Sequence, residues 1–363
     1  MFNRTYRDRR VLVTGHTGFK GSWLSLWLLH LGAHVAGFAV DVPSTPANFD
    51  VLDLRGRIKH FHGDVRNREE LERAIDAFRP EIVFHLAAQS LVRRSYTDPA
   101  GTFEINALGT LNVLECLRTR PWVRAVVLIT SDKSYRNVEW CWGYREEDAL
   151  GGKDPYGGSK GAAELVAYSY YHSFFKDGST RIATARAGNV IGGGDWAFDR
   201  IVPDCMRAWS ENRAVALRNP SATRPWQHVL EPLSGYLALG ARLWEDRIGF
   251  AGEAFNFGPD SSVNHTVGEL LQAMAERWPG QRWEISQDIP SGAPEATLLK
   301  LCCDKAIHFL GWNAVLGFNE TVSFTVDWYR NYYSHEKDMY AFSLNQIDRY
   351  CELAAQRRSA WIS

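Results

Sequence analysis

Hydrophobic positions in the first 190 residues follow two alternating patterns. Short apolar runs rich in β-branched residues end at glycine or polar residues, and stretches with helical spacing separate them. The runs are RRVLVTG, HVAGFAV, KHFHGDV, EIVFHLAA, AVVLITS and RIATARAGNVI; SWLSLWLLHLG and REELERAIDAFRP are two of the helical stretches. This alternation is typical of a parallel sheet with helices on both faces. With right-handed crossovers, it predicts an α/β fold with a doubly wound parallel sheet.

After about residue 190 the pattern changes to shorter elements joined by connections rich in glycine, proline and tryptophan. GGGDWAFDRIVPD and RNPSATRPWQHVLEPLSGYL are examples. We therefore expect a Rossmann-type domain over residues 1–190. A smaller substrate-binding lobe would occupy mainly residues 191–363, with room for segments that return to the first domain. Because no low-complexity tract separates the two parts, their boundary is predicted to be a cleft.

Composition narrows the class of protein. The 363 residues are 45% hydrophobic, and 41 Lys and Arg against 42 Asp and Glu leave a net charge of -1. No overall basic field exists to attract nucleic acid or an anionic membrane. The basic start MFNRTYRDRR leads into VLVTGHTGF, which lacks the apolar core of a signal peptide. We expect a cytoplasmic enzyme without nucleic-acid or membrane partners.

Cysteine and histidine spacing gives no sign of a metal or disulfide framework. The six cysteines form no Cys-x-x-Cys pair, and the eleven histidines form no His-Glu-x-x-His motif. Scattered cysteines favour reduced thiols in the cytosol. We expect no structural metal.

The motif VTGHTGFKG spaces Gly15, Gly18 and Gly21 three residues apart between a predicted strand and a predicted helix. Glycine permits a tight turn and close approach of the backbone to a pyrophosphate at the helix N-terminus. Asp41 follows at the end of the next strand, where a carboxylate can accept the adenosine ribose hydroxyls and would repel a 2'-phosphate. The motif favours NAD over NADP; the alternative is that the glycines only terminate a strand.

The motif DPYGGSKGAAE places Tyr156 and Lys160 four residues apart. On a helix these side chains share a face, so the ammonium is expected to lower the pKa of the phenol. The spacing alone is common. Downstream of a nucleotide-binding half and of TSDK, it is much more specific.

Together these motifs resemble the extended short-chain dehydrogenase/reductase superfamily and, within it, the sugar-nucleotide 4,6-dehydratases. The resemblance covers nearly the whole chain. The segments GHTGFKGSWL, TSDKSY, DPYGGSK, GNVIGGGDW, DRIVPD and RPWQHVLEPLSGYL are most similar to the branch that acts on CDP-D-glucose. The resemblance implies a hydro-lyase that uses NAD and converts CDP-glucose to CDP-4-keto-6-deoxy-D-glucose, in deoxysugar biosynthesis such as that of a lipopolysaccharide O-antigen.

The implied reaction begins when the Tyr156 phenolate, stabilised by Lys160, removes the proton of the glucose 4-hydroxyl as hydride leaves C4 for NAD. The resulting ketone acidifies the C5 proton, water is eliminated across C5 and C6, and then hydride returns to C6 and a proton to C5. Ser131, Asp132 and Lys133 follow the strand AVVLI. Because ligands bind beyond the carboxyl ends of such strands, they are expected to face nicotinamide and sugar. The alternative for Asp132 and Lys133 is a solvated salt bridge on a surface loop.

Within the triplet, the resemblance implies that Ser131 binds the 4-hydroxyl and that Asp132 is the general acid at the 6-hydroxyl. Relatives that act on dTDP-glucose usually carry Thr-Asp-Glu here, with Glu as the C5 base, whereas this chain has Ser-Asp-Lys. Lys133 can be that base only if it is substantially neutral.

The resemblance also implies the binding residues. Those expected to bind NAD are Gly15, Thr17, Gly18, Phe19, Lys20, Gly21, Asp41, Asp64, Val65, Leu86, Ala87, Ala88, Asn106, Thr130, Tyr156 and Lys160. Asp64 has the alternative of capping the following helix. Those expected to bind substrate are Gln89, Asn189, Arg200, Arg224, Trp226 and His228, which supply cations for a diphosphate and an aromatic plane. Asn189 has the alternative of a turn residue, and Trp226 that of a core residue.

The resemblance further implies a homodimer in which AYSYYHSFF pairs with NALGTLNVLECL as a four-helix bundle.

Three other functions remain open. Another sugar-nucleotide dehydratase or a 4-epimerase would share the glycine-rich turn, Tyr156 and Lys160, but an epimerase has no need of an acid and a base at Asp132 and Lys133. A non-catalytic NAD-binding protein would not need Tyr156, Lys160 or Asp132.

Overall fold

The computed structural model describes residues 1–217, 220–245, 249–260, 263–278, 282–285, 298–336 and 338–363. The strands in these ranges are β1 (Arg10–Thr14), β2 (His34–Ala39), β3 (Lys59–His62), β4 (Ile82–His85), β5 (Ala125–Ile129), β6 (Arg181–Ala187), β7 (Val190–Ile191), β8 (Val215–Leu217), β9 (Thr223–Arg224), β10 (Gln227–His228), β11 (Ala254–Phe257), β12 (His265–Thr266) and β13 (Trp283–Ile285).

The α-helices of the same ranges are α1 (Phe19–His30), α2 (Asn48–Val51), α3 (Arg68–Phe78), α4 (Val92–Thr97), α5 (Pro99–Phe103), α6 (Gly109–Arg118), α7 (Pro155–Tyr170), α8 (Ile201–Ser210), α9 (Leu230–Trp244), α10 (Val267–Arg277), α11 (Phe318–Ser334) and α12 (Met339–Gln356). The five-residue π-helical segment Glu104–Leu108 joins α5 to α6.

The central sheet has seven strands within the described ranges, in the order β3-β2-β1-β4-β5-β6-β11. Every pair of neighbours is parallel. The strand order reverses between β1 and β4, and in open α/β sheets such a reversal is where ligands bind, beyond the carboxyl ends of the strands. The predicted doubly wound α/β fold is confirmed.

Burial explains why these segments form a parallel sheet. All five residues of β5 are buried, as expected for a strand covered on both faces. The main core on one face includes apolar residues of α1 and α9, and a second cluster on the other face includes residues of α3 and α6. Asn67 caps α3 by accepting a hydrogen bond from the Glu70 amide.

The second half of the chain contributes to the sheet as well as to its own smaller ladders. β11 pairs with β6, and α9 packs against β5 and β6. The two-stranded ladders β7–β10, β9–β12 and β8–β13 lie outside the central sheet. The return of β11 and α9 agrees with the segments allowed for at the sequence level, while the domain boundary at residue 190 stays a prediction. None of the described helices is both long and apolar enough to span a membrane.

Candidate active site

The glycine-rich turn between β1 and α1 is shaped by close backbone contacts. Gly15 has φ +71°, and a Cβ atom there would lie 2.7 Å from the Ala87 nitrogen. A Cβ at Gly21 would lie 2.2 Å from the carbonyl oxygen of Gly15. Gly18 is the N-cap residue of α1 and provides no side-chain hydrogen bond to the helix amides. The turn thus leaves room and helix N-terminal amides for a dinucleotide pyrophosphate, so the residues present fit NAD.

Other predicted NAD residues surround this turn. The Thr17 hydroxyl donates to the backbone oxygen of Asp41 at 2.6 Å, and the Asp41 side chain is exposed just beyond β2. Leu86, Ala87 and Ala88 are half-buried after β4, and Phe19 lies at the start of α1.

Asp64 and Val65 follow β3. The Asp64 carboxylate accepts hydrogen bonds from the backbone and guanidinium of Arg66, at 2.8 and 2.6 Å. Asn67 is the cap of α3, so the alternative that Asp64 caps this helix is wrong. Val65 is buried and its backbone oxygen accepts from the Asn112 amide at 3.0 Å.

The catalytic segment predicted from TSDK lies directly beyond β5. Ser131 and Asp132 are buried, at 5% and 4% exposure, and Lys133 is half-buried. The Ser131 hydroxyl donates to Oδ1 of Asp132 at 2.9 Å and accepts from the Lys133 amide at 3.2 Å. Burial of Asp132 excludes the alternative of a solvated salt bridge on a surface loop.

Gly188 makes room for the Asp132 carboxyl. A Cβ atom at this glycine would lie 1.9 Å from Oδ2 of Asp132. Sequence reasoning missed Gly188; its signal was a glycine directly after a buried strand. Asp132 and Gly188 line a pocket together with Gln227, Asp260 and Lys300. Burial raises the pKa of Asp132, against the opposing effects of Lys133 and Ser131. A carboxyl in this environment tends toward the neutral form that donates a proton.

Tyr156 and Lys160 lie on α7, as the spacing predicted. Burial raises the pKa of Tyr156 to about 12, although hydrogen bonding with Ser131 lowers it. The expectation that the ammonium brings the phenol below its ordinary pKa is therefore wrong for this structure, because the cost of burying the phenolate is larger. Burial also lowers the pKa of Lys160 to about 8, and its ammonium donates to the Ile129 oxygen at 3.2 Å.

Two more cations act on the same site. Burial lowers the pKa of Lys20 to about 8, with a further contribution from Arg200, while Asp132 raises it. Asp195 raises the pKa of Arg200 and binds its guanidinium at 2.9 Å; Tyr156 raises it as well. These mutual effects on pKa indicate that Lys20 and Arg200 lie close enough to Tyr156 and Asp132 to interact with them electrostatically.

The remaining predicted substrate residues differ in position. Arg224 is half-buried in β9 and donates to the Thr223 oxygen at 2.7 Å. Asn189 has φ +47°, a value that suits the alternative of a turn residue. Its backbone oxygen accepts a hydrogen bond from the backbone amide of Gln227 at 3.2 Å. The Gln89 side chain is buried and donates to Thr102 at 3.0 Å. The substrate roles of these residues stay predictions.

Trp226 belongs to the main hydrophobic core, and His228 packs against residues of that core. His228 has no exposed surface and packs against Trp23 and Phe324. Burial lowers its pKa to about 3, so the ring is neutral near pH 7. Trp226 is 7% exposed. This corrects the prediction that His228 supplies a cation to the diphosphate, and it favours the core alternative for Trp226.

Asn106 and Thr130 make structural contacts around the predicted NAD site. The Asn106 amide donates to the Gln89 oxygen at 3.0 Å and to the Ser159 hydroxyl at 2.8 Å. The Thr130 hydroxyl donates to the Glu164 carboxylate. Sequence reasoning did not identify Glu164, although its four-residue offset from Lys160 placed it on the same helix face.

Similarity to known proteins covers most of the chain. Residues 12–325 match a family model described as GDP-mannose 4,6 dehydratase. The chain belongs to this family. A curated CDP-glucose 4,6-dehydratase from Salmonella typhimurium is 46% identical over 350 residues, which cover 95% of this chain and 97% of that protein. The predicted resemblance to sugar-nucleotide 4,6-dehydratases is confirmed.

Two solved structures of similar proteins have the same fold. A UDP-glucose 4-epimerase from Thermus thermophilus, in complex with NAD, is 29% identical, with a TM-score of 0.75 over 88% of this chain and 99% of that chain. DesIV, a dTDP-glucose 4,6-dehydratase from Streptomyces venezuelae with NAD bound, is 24% identical, with a TM-score of 0.74 over 91% of this chain and 99% of that chain. The DesIV likeness shows the fold alone.

Proposed function

We propose that this chain is a hydro-lyase that dehydrates CDP-D-glucose to CDP-4-keto-6-deoxy-D-glucose with NAD. The buried Asp132 carboxyl carries this proposal, because its raised pKa suits an acid that protonates a departing 6-hydroxyl. The 46% identity to a CDP-glucose 4,6-dehydratase supports the choice of both reaction and nucleotide.

Tyr156 would take the proton of the glucose 4-hydroxyl. The phenol is buried and interacts with Ser131, which would hold the same hydroxyl in place. A phenolate at this position gains from the positive charge of Arg200, which lowers the pKa of Tyr156 against burial, and Lys160 lies one helical turn away. Bound NAD supplies the hydride acceptor for oxidation at C4 and the hydride donor for reduction at C6.

Asp132 and Lys133 would act on the 4-keto intermediate. Asp132 would protonate the leaving 6-hydroxyl, and Lys133, half-buried beside it, is our candidate for the base at C5. Exchange of the C5 proton with deuterated solvent tests the second role. Lys133→Ala should slow this exchange without preventing oxidation at C4, and unchanged exchange would exclude Lys133 as the base.

NAD would be held mainly by the glycine-rich turn. The amides that begin α1 suit the pyrophosphate, and Asp41 suits the adenosine ribose. Arg200 and Arg224 would bind the substrate diphosphate, with Asn189 beside them, because guanidinium groups match phosphate oxygens in charge and geometry.

We also propose that two copies of this chain associate through the helices around α6 and α7. Exposed apolar side chains occur in both regions: Phe103 and Leu108 lie just before α6, and Leu165, Tyr168 and Phe174 lie on α7 and its π-helical extension. Phe175 is buried and Tyr171 packs in the second core, so only part of AYSYYHSFF is available to a partner. Leu165→Asp should convert a dimer to a monomer in light scattering.

We further propose that the protein is located in the cytoplasm.

A 4-epimerase is the second candidate, because a 29% identical UDP-glucose 4-epimerase has the same fold. The decisive experiment incubates purified protein and NAD with CDP-, dTDP-, UDP- or GDP-glucose separately and follows product mass. Loss of one water from CDP-glucose alone supports the proposal. Isomerisation without change of mass favours the epimerase, and bound NAD without any turnover favours a non-catalytic protein.

A further inference from the structure

Glu164 extends the face of α7 that carries Tyr156 and Lys160. The three residues are spaced four apart on one helix, so their side chains follow one another along it. The Glu164 carboxylate accepts hydrogen bonds from Thr130, from Thr184 at 2.9 Å, and from Arg186 at 2.8 and 3.1 Å. Glu164 thus joins the helix of the catalytic tyrosine to β6 and to the end of β5.

The contact with Thr130 links Glu164 to the catalytic segment. Thr130 directly precedes Ser131, and its amide donates to the Ala185 oxygen at 2.9 Å. The hydrogen bond from the Thr130 hydroxyl to Glu164 therefore anchors the chain at the residue just before Ser131 and Asp132.

Arg186 holds the other end of the same segment. Its guanidinium donates to the Tyr135 hydroxyl at 2.7 Å and to the backbone oxygen of Glu146 at 2.8 Å. Arg186 and Glu164 form an ion pair with both side chains only 4% exposed. An ion pair this deeply buried needs all of its hydrogen bonds, so it fixes the groups that supply them.

We propose that Glu164, paired with Arg186, is a positioning residue for the dehydration, which holds residues 130–135 so that Ser131 and Asp132 face Tyr156. This inference rests on the proposed function. The hydrogen bond of the Thr130 hydroxyl to Glu164 then sets the geometry of the catalytic segment.

Thr130 and Thr184 provide a matched pair of variants. Each donates one hydroxyl hydrogen bond to the same carboxylate, but Thr184 lies within β6 and is separate from the catalytic segment. Thr130→Val should lower kcat about tenfold with KM nearly constant, since a displaced acid affects the chemical step more than binding. Thr184→Val should stay within about twofold of the original kcat. Thr130→Ser, which keeps the hydroxyl, should restore activity.

Amide hydrogen exchange of residues 133–135 supplies a readout that needs no substrate. These amides donate within the segment, to Ser131 and Asp132. Faster exchange there in Thr130→Val than in Thr184→Val supports the proposal, and equal exchange in the two variants would overturn it. If the original protein dehydrates no nucleotide sugar, the proposed function fails, whereas the exchange comparison still decides the positioning role.

Discussion

In the glycine-rich turn at residues 15–21, backbone atoms set the geometry: Gly21 approaches the Gly15 oxygen, and Gly15 approaches the amide of Ala87. In the catalytic segment at residues 130–135, buried side chains set it, through Glu164 and Arg186. The first site requires that Gly15 and Gly21 carry no side chain. The second requires charged groups from α7 and β6 to meet.

The two sites should therefore respond differently to substitution. A turn shaped by backbone contacts suits any dinucleotide, because it offers amides and a helix N-terminus to a pyrophosphate. Chemistry at one hydroxyl of the sugar needs an acid in a dry environment, which only long-range packing provides. Variants in the first region should affect NAD binding, and variants in the second should affect individual steps of the reaction.

The largest effect should come from Asp132→Asn, which keeps the size of the side chain but removes the acid. Elimination should slow by about a thousandfold, within the range expected for a general acid. Oxidation at C4 and NAD binding should persist, so the 4-keto sugar that retains its 6-hydroxyl should accumulate in mass spectra. Normal dehydration by this variant would remove Asp132 from the mechanism.

Gly15→Ala should weaken NAD binding by about a hundredfold, because the added Cβ atom would press on the Ala87 backbone and because alanine rarely adopts the positive φ of this position. Gly32→Ala is the control. Gly32 also has positive φ, at +81°, but a Cβ there meets its nearest atom at 3.6 Å. Equilibrium dialysis with NAD separates the two effects, and equal losses would show that backbone strain alone is responsible.

The contrast between the regions also explains what the sequence could predict. VTGHTGFKG is recognisable because all three glycines belong to one short segment between a strand and a helix. The strands were predictable for a similar reason: nearly unbroken apolar runs such as AVVLI match the burial of β5 on both faces. In both cases the sequence pattern that allows the prediction lies within a few neighbouring residues.

Long-range effects could not be read in this way. His228 follows Trp226 in a segment with an arginine, which suggested a charged site, yet β10 carries the ring into the core. Gly188 is important because Asp132, 56 residues earlier, comes to lie against it. The pKa of Tyr156 depends on burial that residue spacing does not reveal.

The side-chain network should also set the pH dependence. Burial lowers the pKa of Lys160 to about 8, and the Glu164 carboxylate opposes that shift. Activity that needs the ammonium should fall as the pH rises through about 8, and Glu164→Gln should move this fall to lower pH. Glu146→Gln, another buried carboxyl variant in the same network, should leave it in place. A pH–rate profile that does not move would show that Glu164 has no electrostatic effect on Lys160.

A smaller effect should distinguish Arg224 from His228, which stand only four residues apart. Arg224→Ala should raise the KM for CDP-glucose about tenfold, as expected for loss of one charged hydrogen bond, with NAD binding unchanged. His228→Phe should change KM less than about twofold, because the ring is neutral, enclosed, and replaced by another aromatic ring in the core. Steady-state kinetics measure both. Equal effects of Arg224→Ala on NAD and substrate would remove Arg224 from the diphosphate site, whereas a large KM effect of His228→Phe at unchanged thermal stability would return His228 to it.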